Sequence, residues 1–490
     1  MIDLVDVPRG VSLDDYEANS ALSRPVQELR SEAAHLVAAL GGRRVWMINS
    51  TPRGGGVAEM LPKQVAILRE LGVPTEWAVI GSDDPRFFVL TKRLHNLIHG
   101  VGDPAALDGD DRALYEQVNR ANADSLRGRL SARDILVVHD PQPMAMGALL
   151  AADLDLPAVW RCHIGLDGEN AATGAAWEFL SAYARGYDHA VFSAPEYIRC
   201  FPAHRTAIIH PAIDPLSDKN RYLSSVRLTG VLANAGLVGG DQPVLTPPFD
   251  DEVRRLTPTG DWKPAREAEP IGLLFRPVVT QISRWDRLKG FLPLLHAFVR
   301  VKERAPAARD TIHRRRLEIV RLVLAGPDPA SIPDDPEAQE VLAELRRSYL
   351  ALPPAVQADI AILSLPMAST RENALIVNAL QRASSVVVQN SLEEGFGLTV
   401  SEAMWKRCAV LGSSACGIRQ QIRDGVDGRL APDASDSDTV ADTLDELLAD
   451  GQQRSVLGRN AERRVVDNFL VFTQTANWLR LLVRVVEGRG

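Results

Sequence analysis

RVWMINSTPRGGGVAEMLPKQVAIL, residues 44–68, contains the pattern that decides the fold. Residues 44–49 read as a buried strand, and Gly54, Gly55 and Gly56 read as a turn. Val57, Leu61, Val65 and Leu68 then recur at the spacing of one helix face. Strand, glycine turn and helix in this order open a doubly wound α/β unit.

Working outward, a helical lead-in precedes residue 44, and further buried strands are expected at residues 134–139, 158–162 and 189–193. The intervals between them can hold helices, which favours a parallel sheet. Between residues 239 and 270 the pattern breaks into GGDQPVLTPPFDDE and GDWKPAREAEP. Proline there denies the backbone regular hydrogen bonding and glycine loosens it, so a linker is expected. A second alternating series follows, with strands near 278–283, 322–325, 360–363, 386–389 and 409–412. The expected division is a first domain of residues 1–265, completed by a C-terminal helix at 469–490, and a second domain of residues 266–468. Ligands of such sheets bind beyond the carboxyl ends of the strands, so two parallel-sheet domains are expected to face each other across a cleft.

At 490 residues the chain exceeds the ~250–300 at which one hydrophobic core stops growing, which agrees with two domains. Its 46% hydrophobic and 24% charged composition excludes a disordered, collagenous or coiled-coil chain. The formal charge of −8 offers no global positive field for nucleic acid or anionic lipid. No apolar run approaches the ~18–20 residues of a membrane span, and the acidic N-terminus resembles no leader. Cys162, Cys200, Cys408 and Cys416 show no zinc-ligand spacing and read as free thiols. A cytoplasmic protein without nucleic-acid or membrane partners is expected.

Three stretches can carry chemistry. In STPRGGGVAEM, the glycines Gly54 to Gly56 allow backbone amides to approach a phosphate or sugar oxygen, although a tight structural turn has the same look. In SRWDRLKG, at the end of the first strand of the second series, Arg284 and Lys289 can meet a diphosphate leaving group. Arginine binds two oxygens at once, and the flexible lysine follows the developing charge. In NSLEEGFGLTVSEAMW, Glu394 lies in a loop and Glu402 on a helix, eight positions later. Both can accept hydrogen bonds from vicinal hydroxyls, while Gly395, Phe396, Gly397 and Leu398 offer backbone donors at a helix start. A glycosidase pair would need both carboxylates to flank one glycosidic bond, and this arrangement places them poorly for that.

His163 in WRCHIG and His139 in HDPQP lie at strand ends, where a substrate contact or proton relay competes with a structural role. Asp153 and Asp155 form a D-x-D on the amino side of a strand, the wrong end for a ligand. The run Arg314 to Arg316 reads as a solvated face. No metal-ligating cluster and no G-x-S-x-G elbow is evident.

At EGFGLTVSEAMW the chain resembles the retaining glycosyltransferases of family 4, whose signature is a pair of glutamates separated by seven intervening residues. That resemblance implies the GT-B fold of two Rossmann-like domains. NSTPRGGGVAEML, FVLTKRLHNLIHG, VVHDPQP, WRCHI, HPAIDPLSDKN, SRWDRLKG and EEGFGLTVSEAMWK, in this order from about residue 43 to the C-terminus, are similar to the trehalose-forming members of that family. Those members join glucose from a nucleoside diphosphate glucose to free glucose. The resemblance implies that Arg284 and Lys289 neutralise the donor diphosphate, that Glu394 binds hydroxyls of the transferred sugar and that Glu402 binds the ribose. It implies further that Gly395 to Leu398 hold sugar and phosphates, that Gly54 to Gly56 close on the donor, that His163 lies near the transferred sugar, and that Asp140 and Gln142 belong to the acceptor pocket. It calls for no cofactor and no obligatory metal, and a homodimer is compatible with it. The chain departs from the family at Gly165, where aspartate is expected after WRCHI, and at residues 413–421, SSACGIRQQ.

Three other readings share parts of this pattern: a retaining trehalose phosphorylase of the same architecture, a non-catalytic sugar-nucleotide binder, and a dinucleotide-dependent oxidoreductase. Absence of G-x-G-x-x-G with its ribose-binding acid counts against the last. Donor base, acceptor identity, reaction direction, oligomeric state and the role of residues 239–270 stay open at this level.

Overall fold

A computed structural model of the protein describes residues 2–8, 10–52, 56–239, 248–331 and 336–489. The chain forms two compact units, Met1–Ala212 with Asp467–Gly490, and Ile213–Val466. Among the described residues of the first unit, seven strands stand in the order β1-β3-β2-β4-β5-β6-β7. They are β1 (Asp3–Leu4), β2 (Val45–Asn49), β3 (Thr75–Val79), β4 (Ile135–His139), β5 (Ala158–Arg161), β6 (His189–Phe192) and β7 (Thr206–Ile208). Only β1 runs antiparallel to its neighbour. β2 and β4 are buried along their whole length, because helices cover both faces of a parallel sheet. Strand order reverses at β2, with β3 on one side and β4 on the other, so a switch point lies between the carboxyl ends of β2 and β4.

The helix Val471–Glu487 returns to this unit from the far end of the chain. Trp478, Leu479, Leu482 and Val485 recur at helical spacing and are buried with Val45, Met47, Leu61 and Val65 in one core. Each such large apolar side chain contributes roughly 1.5–3 kcal/mol on burial.

The second unit holds eight strands in the order β15-β14-β13-β10-β11-β12-β8-β9 among its described residues. These are β8 (Arg254–Leu256), β9 (Trp262–Pro264), β10 (Val278–Ile282), β11 (Arg321–Pro327), β12 (Ile360–Leu365), β13 (Val386–Gln389), β14 (Ala409–Ser413) and β15 (Arg429–Ala431). The strands β10 to β15 pair in parallel, and here the order reverses between β10 and β13. Phe291, Leu294, Leu295, Phe298 and Val301 form the buried stripe of the helix Phe291–Arg304, which packs on this sheet.

The boundary expected at residues 265/266 lies instead at Ala212/Ile213, and residues 254–264 are not a linker. They fold as the antiparallel pair β8 and β9, added to the second sheet through Leu363 opposite Arg255 and Ser364 opposite Arg254. Glycine and proline punctuate a hairpin as readily as a linker, which is why the composition misled. The preceding helix Ser225–Asn234 also belongs to this unit, burying Val231 and Leu232 against Leu375, Ile376 and Leu380.

Candidate functional site

In the second unit, the ends of β10 and β13 are tied together by side chains of the strands themselves. Gln281 Nε2 donates to the Lys289 carbonyl at 2.7 Å, and its Oε1 accepts from Asn390 N at 2.9 Å. Gly290, between them, has φ +61°, and a Cβ there would lie 2.1 Å from the Asn390 carbonyl oxygen. Only glycine fits that conformation and that approach, so Gly290 determines where Lys289 stands.

Lys289 Nζ then donates to Glu394 Oε2 at 2.8 Å, with both side chains nearly buried at 15% and 12% exposure. The same carboxylate oxygen accepts from Ser391 Oγ at 2.9 Å and Gln389 Nε2 at 3.3 Å. Gln389 also reaches Ser283 Oγ at 3.1 Å. Glu394 is thereby oriented by three donors from two strand ends. Behind it, Gly397 (φ +79°) starts the helix Leu398–Trp405, and the carbonyls of Gly397 and Gly417 both accept from Gln421 Nε2.

Glu402 is 6% exposed on that helix, with Lys219 Nζ at 3.7 Å from its Oε1. Lys406 Nζ donates to the Glu402 carbonyl and to Asn220 Oδ1, each at 3.0 Å. Burial pulls the Lys406 ammonium down to about 7, opposed by the charge of Glu402. Arg284 stands apart, two-thirds exposed and 3.8 Å from Asp286. The second unit therefore brings Lys289, Glu394 and the 395–398 turn together and leaves Arg284 pointing to solvent. Of the glycine turn in the first unit, Gly56 begins the helix Gly56–Glu70, whereas Gly54 and Gly55 lie outside the described residues.

The first unit gathers its candidates at the ends of β4 and β5. His139 Nδ1 and His163 Nε2 are 2.9 Å apart, and the two rings stack at 13°. Asp140, at φ +64°, accepts from the His163 backbone amide through Oδ1 at 2.8 Å. Arg161, 1% exposed, directs Nη2 to Ser193 Oγ at 3.0 Å. Burial raises the Asp140 carboxyl to about 6, against the lowering effects of the His163 amide and Arg161. Burial also lowers His139, to about 3, and His163, in both cases reinforced by the Arg161 charge. Both imidazoles are consequently neutral at pH 7, one nitrogen of the contact donating and the other accepting. Arg161 Nη1, His139 Nε2 and Gln142 Oε1 are buried without a hydrogen-bond partner among the described residues.

Arg161, Gln389 and Ser391 were not singled out from the sequence. Arg161 had a usable signal, as it stands two residues before His163 at a strand end; Gln389 and Ser391 had none. Gly165, the departure after WRCHI, has a structural cause: a Cβ there would lie 2.3 Å from Tyr197 Cγ, and Tyr197 is buried. An aspartate has no room. Asp153 and Asp155 pair with Arg127 and Arg489 on the surface. In the run Arg314–Arg316, expected to be solvated, Arg314 and Arg316 instead hydrogen-bond the carbonyls of Ala308 and Ala449. Arg315 alone is widely exposed, paired with Glu318. Among the described residues no group of three or more His, Cys, Asp or Glu is arranged to hold a metal ion, and no helix is long and apolar enough to cross a membrane.

Two family descriptions match the chain: "Trehalose synthase, N-terminal domain" over residues 47–199 and "Glycosyl transferases group 1" over residues 369–464. A trehalose synthase of Pyrococcus horikoshii is 33% identical over 96% of this chain and 95% of its own length. A trehalose phosphorylase of Grifola frondosa is 24% identical over 91% of this chain and 57% of its own. Among solved structures, an α,α-trehalose-phosphate synthase (UDP-forming) from Burkholderia xenovorans, in complex with glucose-6-phosphate, superposes with a TM-score of 0.60 at 17% identity, covering 90% of this chain and 99% of that one.

Proposed function

We propose that this chain, which belongs to the trehalose synthase family of glycosyltransferases and has the GT-B fold, transfers glucose from a nucleoside diphosphate glucose to free glucose, with retention, to form trehalose. The observation that carries the reading is the Lys289–Glu394 pair, 2.8 Å apart where β10 and β13 end. A cation beside a hydroxyl-accepting carboxylate at a switch point suits a phosphorylated sugar: Glu394 takes the hydroxyls and Lys289 the phosphate oxygens. Arg284, exposed at the end of the same strand, adds the second positive charge, and Glu402 accepts from the ribose.

In the transfer, the bond between the glucose C1 and the diphosphate oxygen breaks, and its electron pair leaves with the diphosphate. Lys289 and Arg284 stabilise that negative charge, which is the main catalytic contribution. An acceptor hydroxyl oxygen forms the new bond to C1 on the face the phosphate leaves, and its proton passes to the departing phosphate oxygen. Attack on that face retains the anomeric configuration. Asp140 and Gln142 orient the acceptor, and His163, neutral at pH 7, lies near the transferred sugar. No metal ion enters this scheme, because two side-chain cations carry the charge that a metal would otherwise meet.

The relationship to the Grifola frondosa trehalose phosphorylase supports a second reading, in which inorganic phosphate takes the Lys289 position and the chain works on trehalose and phosphate. One product assay decides. Purified protein is incubated with glucose and each of ADP-, UDP- and GDP-glucose, and separately with trehalose and phosphate, and products are read by chromatography and anomeric proton NMR. An α,α-linked disaccharide from one nucleotide sugar establishes the synthase and its base. Glucose 1-phosphate from trehalose and phosphate, with silence from all three nucleotide sugars, overturns it in favour of the phosphorylase.

A further inference from the structure

One motif of the family pattern, FVLTKRLHNLIHG, has no part in the chemistry above. It forms the helix Pro85–Ile98, which starts at the N-cap Asp84 after β3. Phe88, Lys92 and His95 occupy positions i, i+4 and i+7 and project from one face of it. With Ser50 and Thr51, which directly follow β2, and Gln142, just beyond β4, they line a cavity of about 440 Å³ within the first unit. This volume is in the range of small-molecule sites, ~300–1,000 Å³. The cavity opens at the carboxyl ends of β2 and β4, where the strand order reverses.

We propose that this helix determines which acceptor the enzyme takes: Lys92, His95 and the Gln142 side chain contact the hydroxyls of a hexose seated in the cavity, and Phe88 covers an apolar face of the ring. The inference rests on the acceptor reading above and names new residues for it. Gln142 lines the cavity just beyond β4, opposite the helix face that carries Phe88, Lys92 and His95. Among the described residues no carboxylate lies within ion-pair distance of Lys92, and its ammonium brings three donors to the cavity. Phe88 is 41% exposed, with its ring braced edge-on by the buried Phe87 at 5.4 Å. An exposed aromatic ring beside hydroxyls, an amide and an ammonium is the mixed lining that a polyhydroxylated ring requires. The seven lining residues, Thr91 among them, include no acid, so the cavity accepts a neutral or anionic hexose.

The test measures KM for glucose, for glucose 6-phosphate and for the nucleotide sugar in the wild type, Lys92→Ala and Gln142→Ala, with Val89→Lys on the same helix but outside the lining as control. Direct titration calorimetry of glucose and of glucose 6-phosphate, without donor, accompanies the kinetics. We expect both cavity variants to raise the KM of the better acceptor by about tenfold or more, as removal of a charged or buried hydrogen-bond partner does, with the donor KM within about twofold. Val89→Lys keeps both. Transfer to either acceptor with its KM unchanged in Lys92→Ala and Gln142→Ala overturns this inference and leaves the transferase reading intact. Calorimetric binding of glucose that Lys92→Ala abolishes, in a protein inactive with every nucleotide sugar, supports the cavity and overturns the transferase reading. Absence of both transfer and binding removes both.

Discussion

Removing Lys289 tests the centre most directly, because its contributions to stability and to catalysis separate. The 2.8 Å bond between two side chains of 15% and 12% exposure is charge-assisted and largely shielded from water. A hydrogen bond of this kind is worth ~1.5–3 kcal/mol. In Lys289→Ala, Glu394 Oε2 keeps Ser391 Oγ and Gln389 Nε2, so the stability loss falls in that range rather than at the ~3–5 kcal/mol of a fully orphaned buried charge. For units of this size that corresponds to a drop of roughly 3–12 °C in Tm. Turnover falls much further, by ~10²–10³, because the lost cation would have faced the leaving diphosphate. Adding Glu394→Gln removes the uncompensated carboxylate and restores most of the stability, while activity stays lost. Calorimetric melting and initial rates at saturating donor are measured on the four proteins of the cycle. Near-native turnover in Lys289→Ala refutes the catalytic assignment. Activity that returns together with stability in the double variant shows that the pair is structural.

Gly165→Asp is expected to lower Tm, since its Cβ meets Tyr197 at 2.3 Å and overpacking costs ~1–3 kcal/mol; thermal melts of this variant and of Gly165→Asp/Tyr197→Ala, which makes room, check it. Gly290→Ala forces a Cβ to within 2.1 Å of the Asn390 carbonyl at φ +61°, so kcat should fall together with Tm; an unchanged kcat would show that Lys289 does not depend on this turn. Asp140 gives a pH signature: burial raises its carboxyl from 3.8 to about 6, so kcat/KM for the acceptor should decline below about pH 6, and Asp140→Asn should lack that limb. The same shift makes folded Asp140 hold its proton longer than unfolded Asp140, so its contribution to stability is complete below pH 3.8 and is lost as pH rises through 6. Denaturant titrations at pH 4 and 7 should therefore show Asp140→Asn gaining on the wild type at the higher pH, by roughly 3 kcal/mol at most.

Much of this molecule is local in origin and hence legible in one dimension. Runs such as residues 45–48 and 386–388 are uniformly apolar because parallel strands are buried on both faces, and that signal needs no knowledge of neighbours. The C-terminal helix was visible for a similar reason, its apolar stripe being a property of its own sequence. Lys289 and Glu394 stood out as candidates because ligands of α/β sheets bind at strand ends beside a switch point, and the structure places the two side chains in contact there. The short strands β1, β7, β8, β9 and β15 were not seen, because three or fewer residues at a sheet edge carry no period of their own. The unit boundary was misplaced because glycine and proline report a local turn and not the larger body that the turn belongs to. Distance and burial across the chain belong to tertiary structure alone. Residues 105 positions apart form the Lys289–Glu394 bond, and a buried Tyr197 decides that residue 165 must be glycine. The sequence by itself determined two doubly wound units. Only folding decided that Arg161 lies buried beneath Asp140 and the histidine pair, and that Phe88, Lys92 and His95 share a cavity with Gln142, since both depend on which strand ends the sheet order makes adjacent.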